Sequence, residues 1–404
     1  MSYRYGASFV DPGLNTLVSP SPSGSYTQYT GIWKLNSASA AQGAGTWPSP
    51  PVPHLLAWGN NGGGQSGLGN TTNYSSPKQV GLLTNWSNIA HGNQQSYAIK
   101  TDGTLWSWGK NTNGGLGLGN TTNYSSPVQV GALTNWLQIA AGYYYAIAIK
   151  TDGTLWAWGG NAQGQLGLNN TTNYSSPKQV GSLTNWLKIA AQQYTNFAIK
   201  TDGTLWSWSN GRFGALGLGN TTSYSSPKQV GALTNWLNIS AGLYNGFAIK
   251  TDGTLWAWGW NVYGDLGLGN TTNYSSPKQV GALTTWSTIV GSGNSYGLAI
   301  KTDGSLWAWG CNGIGSLGLG NTTYYSSPKQ VGALTNWLNV SAGQYTSFGI
   351  KTDGTLWSWG YNAYGALGLG NTTNYSSPKQ VGFLTTWSKI NVARNASVLA
   401  IAKT

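Results

Sequence analysis

Acid is scarce in this chain of 404 residues: it holds eight acidic residues, all Asp, and no Glu. Charged residues of both signs make up 7%, against roughly a quarter in an average globular protein. Six of the eight Asp (Asp102, Asp152, Asp202, Asp252, Asp303 and Asp353) fall in one recurring turn, which leaves no pair of free carboxylates for acid and base work. One cysteine, Cys311, excludes an intrachain disulfide, and two histidines, His54 and His91, are too few for a His/Cys metal site. No nucleophile can be matched with a base. The expectation is a protein that is not an enzyme and takes no cofactor or metal. No apolar run approaches the ~18 residues of a spanning helix. The start, Met1-Ser-Tyr-Arg-Tyr-Gly, lacks the apolar stretch of a secretory signal. Neither membrane insertion nor secretion is expected.

Arginine is nearly absent too. The formal net charge of +12 comes from 17 Lys and three Arg: Arg4, Arg212 and Arg394. The Lys recur at fixed places such as Lys100, Lys150 and Lys200, and even spacing reads as solubility rather than a dense patch. With Arg, the usual reader of bases and phosphates, so rare, no nucleic-acid partner is expected.

What the chain has in quantity is repetition. Thr151-Asp-Gly-Thr-Leu-Trp-Ala-Trp-Gly159 recurs almost letter for letter, its last Trp falling at Trp58, Trp108, Trp158, Trp208, Trp258, Trp309 and Trp359. The spacing is 50 residues except for one of 51, where Val290-Gly-Ser-Gly-Asn-Ser-Tyr296 carries an extra loop residue. Asp-Gly between two apolar stretches is a hairpin signal, because a tight turn needs positive φ. Each unit reads as four short strands: one from Trp136, one over 146–150, one over 154–158 and, after a long glycine loop to Pro177, one over 178–180. Four strands at this period are a propeller blade. The last unit stops at Lys403 without its Leu-Trp strand, and the first begins with that strand alone, Leu55-Leu-Ala-Trp-Gly59. The two halves predict an all-β, seven-bladed propeller of four-stranded antiparallel blades over 54–404, its ring closed by the N-terminal strand, behind an extension over 1–53.

The repeated letters Asp152-Gly153 and Trp158-Gly-Gly-Asn-Ala-Gln-Gly-Gln-Leu-Gly167 resemble the regulator of chromosome condensation family across almost the whole array. The family's usual His before the apolar strand is replaced by Gln95, Tyr145, Thr195, Asn245 or Ser397. The resemblance implies a propeller whose relatives include an exchange factor for a small GTPase, a plant ultraviolet photoreceptor and bacterial inhibitors of β-lactamases. The exchange factor's inserted wedge has no counterpart here, and the photoreceptor's Trp set among Arg is not matched by Arg212 and Arg394 alone. Residues 1–53 show no repeat. Within them Gly31-Ile-Trp-Lys-Leu-Asn36 and Gly43-Ala-Gly-Thr-Trp-Pro48 resemble N-terminal segments of marine tailed-phage structural proteins.

Near-identical copies make departures visible. Variation gathers in the loop between the first two strands (Asn93, Gln94 and Gln95; Tyr143, Tyr144 and Tyr145; Tyr194; Tyr244; Tyr345) and after the Trp (Lys110; Arg212 and Phe213; Trp260 and Tyr263; Tyr361 and Tyr364). Antiparallel order brings both loops to one face of the disc. The Asn-Thr-Thr-Asn-Tyr-Ser-Ser-Pro stretch, expected to be exposed as well, scarcely varies, so drift alone is an incomplete account. The mixture of Tyr, Trp, Asn, Gly and Gln is that of a binding surface. The expected function is a non-enzymatic binding or structural protein, a component of a phage virion or its host-contacting appendage. Its partner is a protein or cell surface, with other virion proteins held through residues 1–53. The alternative is a soluble inhibitor or regulator that caps a partner protein.

Overall fold

The computed structural model describes residues 52–403. Their strands form seven four-stranded antiparallel sheets arranged as a propeller. Blades 1 to 6 are contiguous in sequence, over 86–129, 136–179, 186–229, 236–279, 286–330 and 337–380. Blade 7 joins Trp387–Val392 and Ser397–Lys403 to Pro53–Gly59 and Tyr74–Thr84. Within it Pro53 pairs with Lys403 and Gly59 with Ser397, so the two ends of the array close the ring. No helix in the described residues is long and apolar enough to cross a membrane.

Blade 2 shows why these residues make these strands. Its strands are Trp136–Ala141, Tyr145–Lys150, Leu155–Gly159 and Tyr174–Gln179. The hairpin between the second and third is a three-residue loop: the Gly153 N–H donates to the Lys150 carbonyl at 2.9 Å and the Lys150 N–H to the Thr154 carbonyl at 3.1 Å. Gly153 takes φ +75°, and a Cβ there would run into the Thr184 carbonyl. Asp152 needs no positive φ. Its Oδ1 instead accepts the Thr154 N–H at 2.9 Å and the Thr154 hydroxyl at 2.6 Å. Those bonds hold the carboxyl below its ordinary pKa. The Trp156 Nε1–H donates in turn to Thr154 Oγ1 at 2.8 Å.

Over this turn lies the first correction. The even spacing of Lys150 and its counterparts suggests solubility charges, but the Lys150 Nζ sits 3.6 Å from the Trp156 ring centre and 4.9 Å from that of Trp136, and the side chain is buried. Lys200, Lys250 and Lys351 are buried in the same way between two indoles. A desolvated ammonium on indole faces is a structural contact, and burial lowers the Lys150 pKa. The outermost strand differs as well, starting at Tyr174 instead of Lys178 and holding Pro177 within it. Proline is tolerated there because an edge strand need not donate outward.

The core lies between blades. One cluster joins Tyr97, Ile99 and Leu105 of blade 1 to Trp136, Ile139, Ala148 and Trp158 of blade 2. The last tryptophan of each third strand is fully buried, and six of these seven donate Nε1–H to a carbonyl of the preceding blade, as Trp208 does to Gln165 at 2.9 Å. Trp158 has no such partner: the carbonyl in its place, Gly115, accepts the Tyr97 hydroxyl.

Candidate functional site

Strand direction sets the two faces. First strands run from the Asp-Gly side to the variable loops, second strands return, and third strands bring their closing Gly back to the variable side. The loops at 142–144 and 160–166 of blade 2 therefore share a face with their counterparts, and the links at 131–135 share the other with the Asp-Gly turns.

On the variable face the aromatics meet across blade boundaries. Tyr143 lies 4.3 Å (centroid to centroid) from Tyr144 and 6.0 Å from Tyr194 of the next blade. Phe213 of blade 3 lies 4.1 Å from Trp260 and 5.4 Å from Tyr244 of blade 4. Tyr263 of blade 4 pairs with Tyr324 of blade 5 at 5.7 Å, while Tyr345, Tyr361 and Tyr364 form a group within blade 6 at 6.3 and 6.5 Å. Arg212, Tyr263 and Tyr364 are exposed; Asn93, Gln94, Lys110, Tyr143, Tyr144, Tyr194, Phe213, Tyr244, Trp260, Tyr345 and Tyr361 are half-buried. Burial and the Tyr144 hydroxyl beside it raise the Tyr143 phenol above its ordinary pKa.

Two expected site residues point elsewhere. Tyr145 is 1% exposed, donates its hydroxyl to Asn196 Oδ1 at 3.0 Å, and burial raises its pKa. Gln95 is buried at the equivalent position. Both begin second strands, where the side chain enters the gap between blades, so neither belongs to an accessible surface.

The invariant stretch also has a cause of its own. Asn161 Nδ2 donates to the carbonyls of Asn170 and Thr172, the Asn161 N–H donates to Asn173 Oδ1, and Asn170 Nδ2 reaches the Tyr174 hydroxyl at 3.4 Å. In six of the seven blades this loop is pinned by its own amides. Its constancy therefore carries no weight against drift in the variable loops.

The central channel is lined by the first strands, among them Ile89, Ala140, Ala190, Ala241 and Val392. Its space is about 230 Å³. Arg394 Nη1 of blade 7 donates to Gln193 Oε1 of blade 3 at 3.0 Å, linking distant blades on the variable side. His91 lines the same channel; burial lowers its pKa to about 4, so the ring is neutral at pH 7.

Blade 3 departs from the other six in three linked letters. Where they have Gly after the Trp it has Ser209, held at φ +89°. Where they have a buried Asn that clamps the loop it has Gly211. Where most have a second Asn it has Ser223, whose hydroxyl accepts the Gly211 N–H at 3.2 Å. The loop tightens into a short 3-10 turn, Arg212–Gly214, with Phe213 left-handed at φ +61°. Two non-glycine residues at positive φ within five positions are local strain of the kind that gathers at functional sites. A cleft of about 570 Å³ lies beside this loop. Sequence reading named Arg212 and Phe213 but missed Ser223, Asn273 and Tyr324; the signal was available for two of them, since Ser223 and Tyr324 break an otherwise repeated Asn.

A closed ring of seven such sheets, with hairpin turns on one face and irregular loops on the other, defines a seven-bladed β-propeller. The profile of the RCC1-like domain matches residues 54–401, and the chain belongs to that family. Among solved structures it is similar to yeast RCC1 (Prp20) as bound to Kap60, with a TM-score of 0.79 at 20% identity over 88% of this chain and 89% of that one. It is similar also to Prp20p of Saccharomyces cerevisiae, studied for its binding to Gsp1p and histones, with a TM-score of 0.76 at 20% identity over 88% and 92%. Human WBSCR16 gives 0.77 at 18% identity over 87% and 99%. No curated protein sequence matches the chain.

Proposed function

We propose that this chain is a non-catalytic recognition propeller that holds a protein or cell-surface partner on its variable face, and that it serves as a component of a phage particle or its host-contacting appendage. One observation carries the recognition reading: aromatic side chains that differ from blade to blade meet across blade boundaries as Tyr143/Tyr144/Tyr194, Phe213/Tyr244/Trp260 and Tyr263/Tyr324, and within blade 6 as Tyr345/Tyr361/Tyr364. Rigid aromatics give contact area at little rotamer cost. The particle reading rests on the sequence of 31–48, which lies outside the described residues, and gives 1–53 the role of attachment segment. Protein binding by the yeast relatives named in their structures supports a protein partner by analogy of fold. The same analogy keeps a soluble regulator that caps a partner as the second reading.

Two measurements test this. A photo-crosslinking residue placed at position 144 should trap a partner in extracts of the producing cells, while the same residue at position 237 on the opposite face should not; the reverse result overturns the choice of face. Mass spectrometry of purified particles should contain this chain, and its absence from every preparation would replace the particle component by the capping regulator.

A further inference from the structure

Blade 3 can be compared with six internal controls, and it alone combines the lost Gly, the lost clamp Asn, a left-handed Phe213 and an Arg in the loop. We propose that the cleft beside this loop binds a carboxylated sugar, with Arg212 meeting the carboxylate and the polar wall meeting the ring hydroxyls. The inference rests on the variable face being the recognition surface and names the ligand chemistry at one place on it.

The chemistry follows from the lining. The Arg212 guanidinium lies 4.5 Å from the centre of the Phe213 ring, and Phe213 is wedged in turn against Trp260 at 4.1 Å. The left-handed turn thus makes Phe213 a pedestal for the cation. A guanidinium resting on an aromatic face keeps its in-plane N–H donors free for a bidentate anion. Among the described residues its side chain makes no hydrogen bond. The rest of the lining is neutral and hydroxyl- or amide-bearing: Asn210, Thr221, Ser223, Asn273 and Ser275. Asn273 Oδ1 accepts the Asn261 N–H at 2.7 Å, which leaves its amide hydrogens to donate. Ser223 Oγ accepts from Gly211, which leaves its proton to donate. Groups that donate and accept in turn suit vicinal hydroxyls, and a volume near 570 Å³ suits one or two sugar rings. One cation suits a single carboxylate; a doubly charged phosphate calls for more donors. Apolar lining is confined to Phe213, which disfavours a hydrophobic peptide end. No carboxylate of the protein lines the cleft, and the formal charge of +12 draws anions toward the molecule.

The test is ligand-observed NMR and calorimetry on the full chain with galacturonate and N-acetylneuraminate, and with galactose as the neutral probe. Both acids should bind, and galactose about tenfold or more weakly, the discrimination of a charge-assisted pair. R212A should remove the difference between acid and neutral sugar, whereas R212K should retain part of it. Because a Cβ on Gly211 alone would strike the Thr222 carbonyl, the cleft is best closed by S209G/G211N/S223N, which restores the letters of the other blades and should abolish binding without lowering Tm. Galactose bound as tightly as galacturonate, no binding of either acid at millimolar concentration, or binding untouched by the triple variant overturns the proposal. If the sugars fail while crosslinking at position 144 persists, this inference falls alone; if both fail, the recognition face falls with it.

Discussion

On the face of the Asp-Gly turns, blade after blade repeats the same Asp, Thr, Trp and Lys in the same bonds. On the opposite face no two blades present the same loop. Yet the repeated face leaves large apolar side chains in water: Leu82 is 91% exposed, Phe383 97% and Leu338 60%, with Leu133, Leu183 and Leu233 about half exposed at equivalent links. The variable face instead packs its aromatics against one another. Exposed apolar area points to the repeated face, whereas the grouping of aromatics points to the variable one, so the two criteria disagree about where a partner would sit. Aromatics preorganised in groups cost less to order on binding than isolated leucines.

If that contrast holds, substitutions on the repeated face register in stability and those on the variable face in binding. The largest effect belongs to Trp136→Ala. Trp136 is buried and makes edge contacts with Trp156 and Trp158 at 6.1 and 5.9 Å; removing it should cost about 3–5 kcal/mol in a denaturant titration, with partner crosslinking at position 144 unchanged in the folded fraction.

Asp265 is the place where the contrast can break, since it lies in a loop on the variable side and yet is fully buried. Desolvation pushes its carboxyl up from 3.8 to about 8, and the Tyr263 backbone N–H opposes the shift without completing a hydrogen bond to either oxygen. The folded state keeps this proton until about pH 8, whereas the unfolded chain gives it up near 3.8. Stability from this group is therefore full below 3.8, falls as pH rises toward 8 and is flat above. Asp265→Asn should flatten the dependence of Tm on pH across that window and raise Tm at pH 8, by a free energy on the order of a few kcal/mol. Because buried His91 contributes with the opposite sign between about pH 4 and 6.5, the readout is the difference between the two proteins: an Asp265→Asn variant whose Tm follows the wild-type pH profile would refute the assignment.

Smaller effects sharpen the contrast. Trp260→Ala should weaken partner binding by ~2 kcal/mol while leaving the melting curve in place, because Trp260 is half-buried in a loop. Lys150→Ala should do the opposite, lowering stability by about 1 kcal/mol through the lost cation–π contacts with binding intact. Equal binding loss in both would place the site on neither face.

The ring was legible because seven copies repeat one reading: Asp-Gly for the turn, alternating Leu and Trp for a strand covered on both sides, and complementary half-units for closure. What the pattern could not show was direction. A Lys at a strand end reads as solvated, and only the neighbouring Trp136 and Trp156 rings, brought together by folding, bury Lys150. Tyr145 stands beside Tyr144 in sequence, but it opens a strand and its side chain turns into the gap between blades. In blade 3 the letters Ser209, Gly211 and Ser223 were all visible as departures, and their joint meaning needed the loop geometry that couples Gly211 to Ser223.

The closure of blade 7 has a consequence in time. Pro53–Gly59 emerges first and waits for Ser397–Lys403, its neighbour in the finished sheet. At ~5–20 residues per second that delay lasts on the order of tens of seconds on the ribosome. Meanwhile second strands of the same buried apolar pattern, such as Tyr145–Lys150 and Asn245–Lys250, pass within reach. Each is a competing mate for the waiting strand, and pairing with one of them would give a smaller, wrong circle. Local order of synthesis works against the error, since each second strand is taken by its own hairpin partner five residues later. The chain is thus protected by haste: blades that complete themselves at once leave the first strand no one to join but the last.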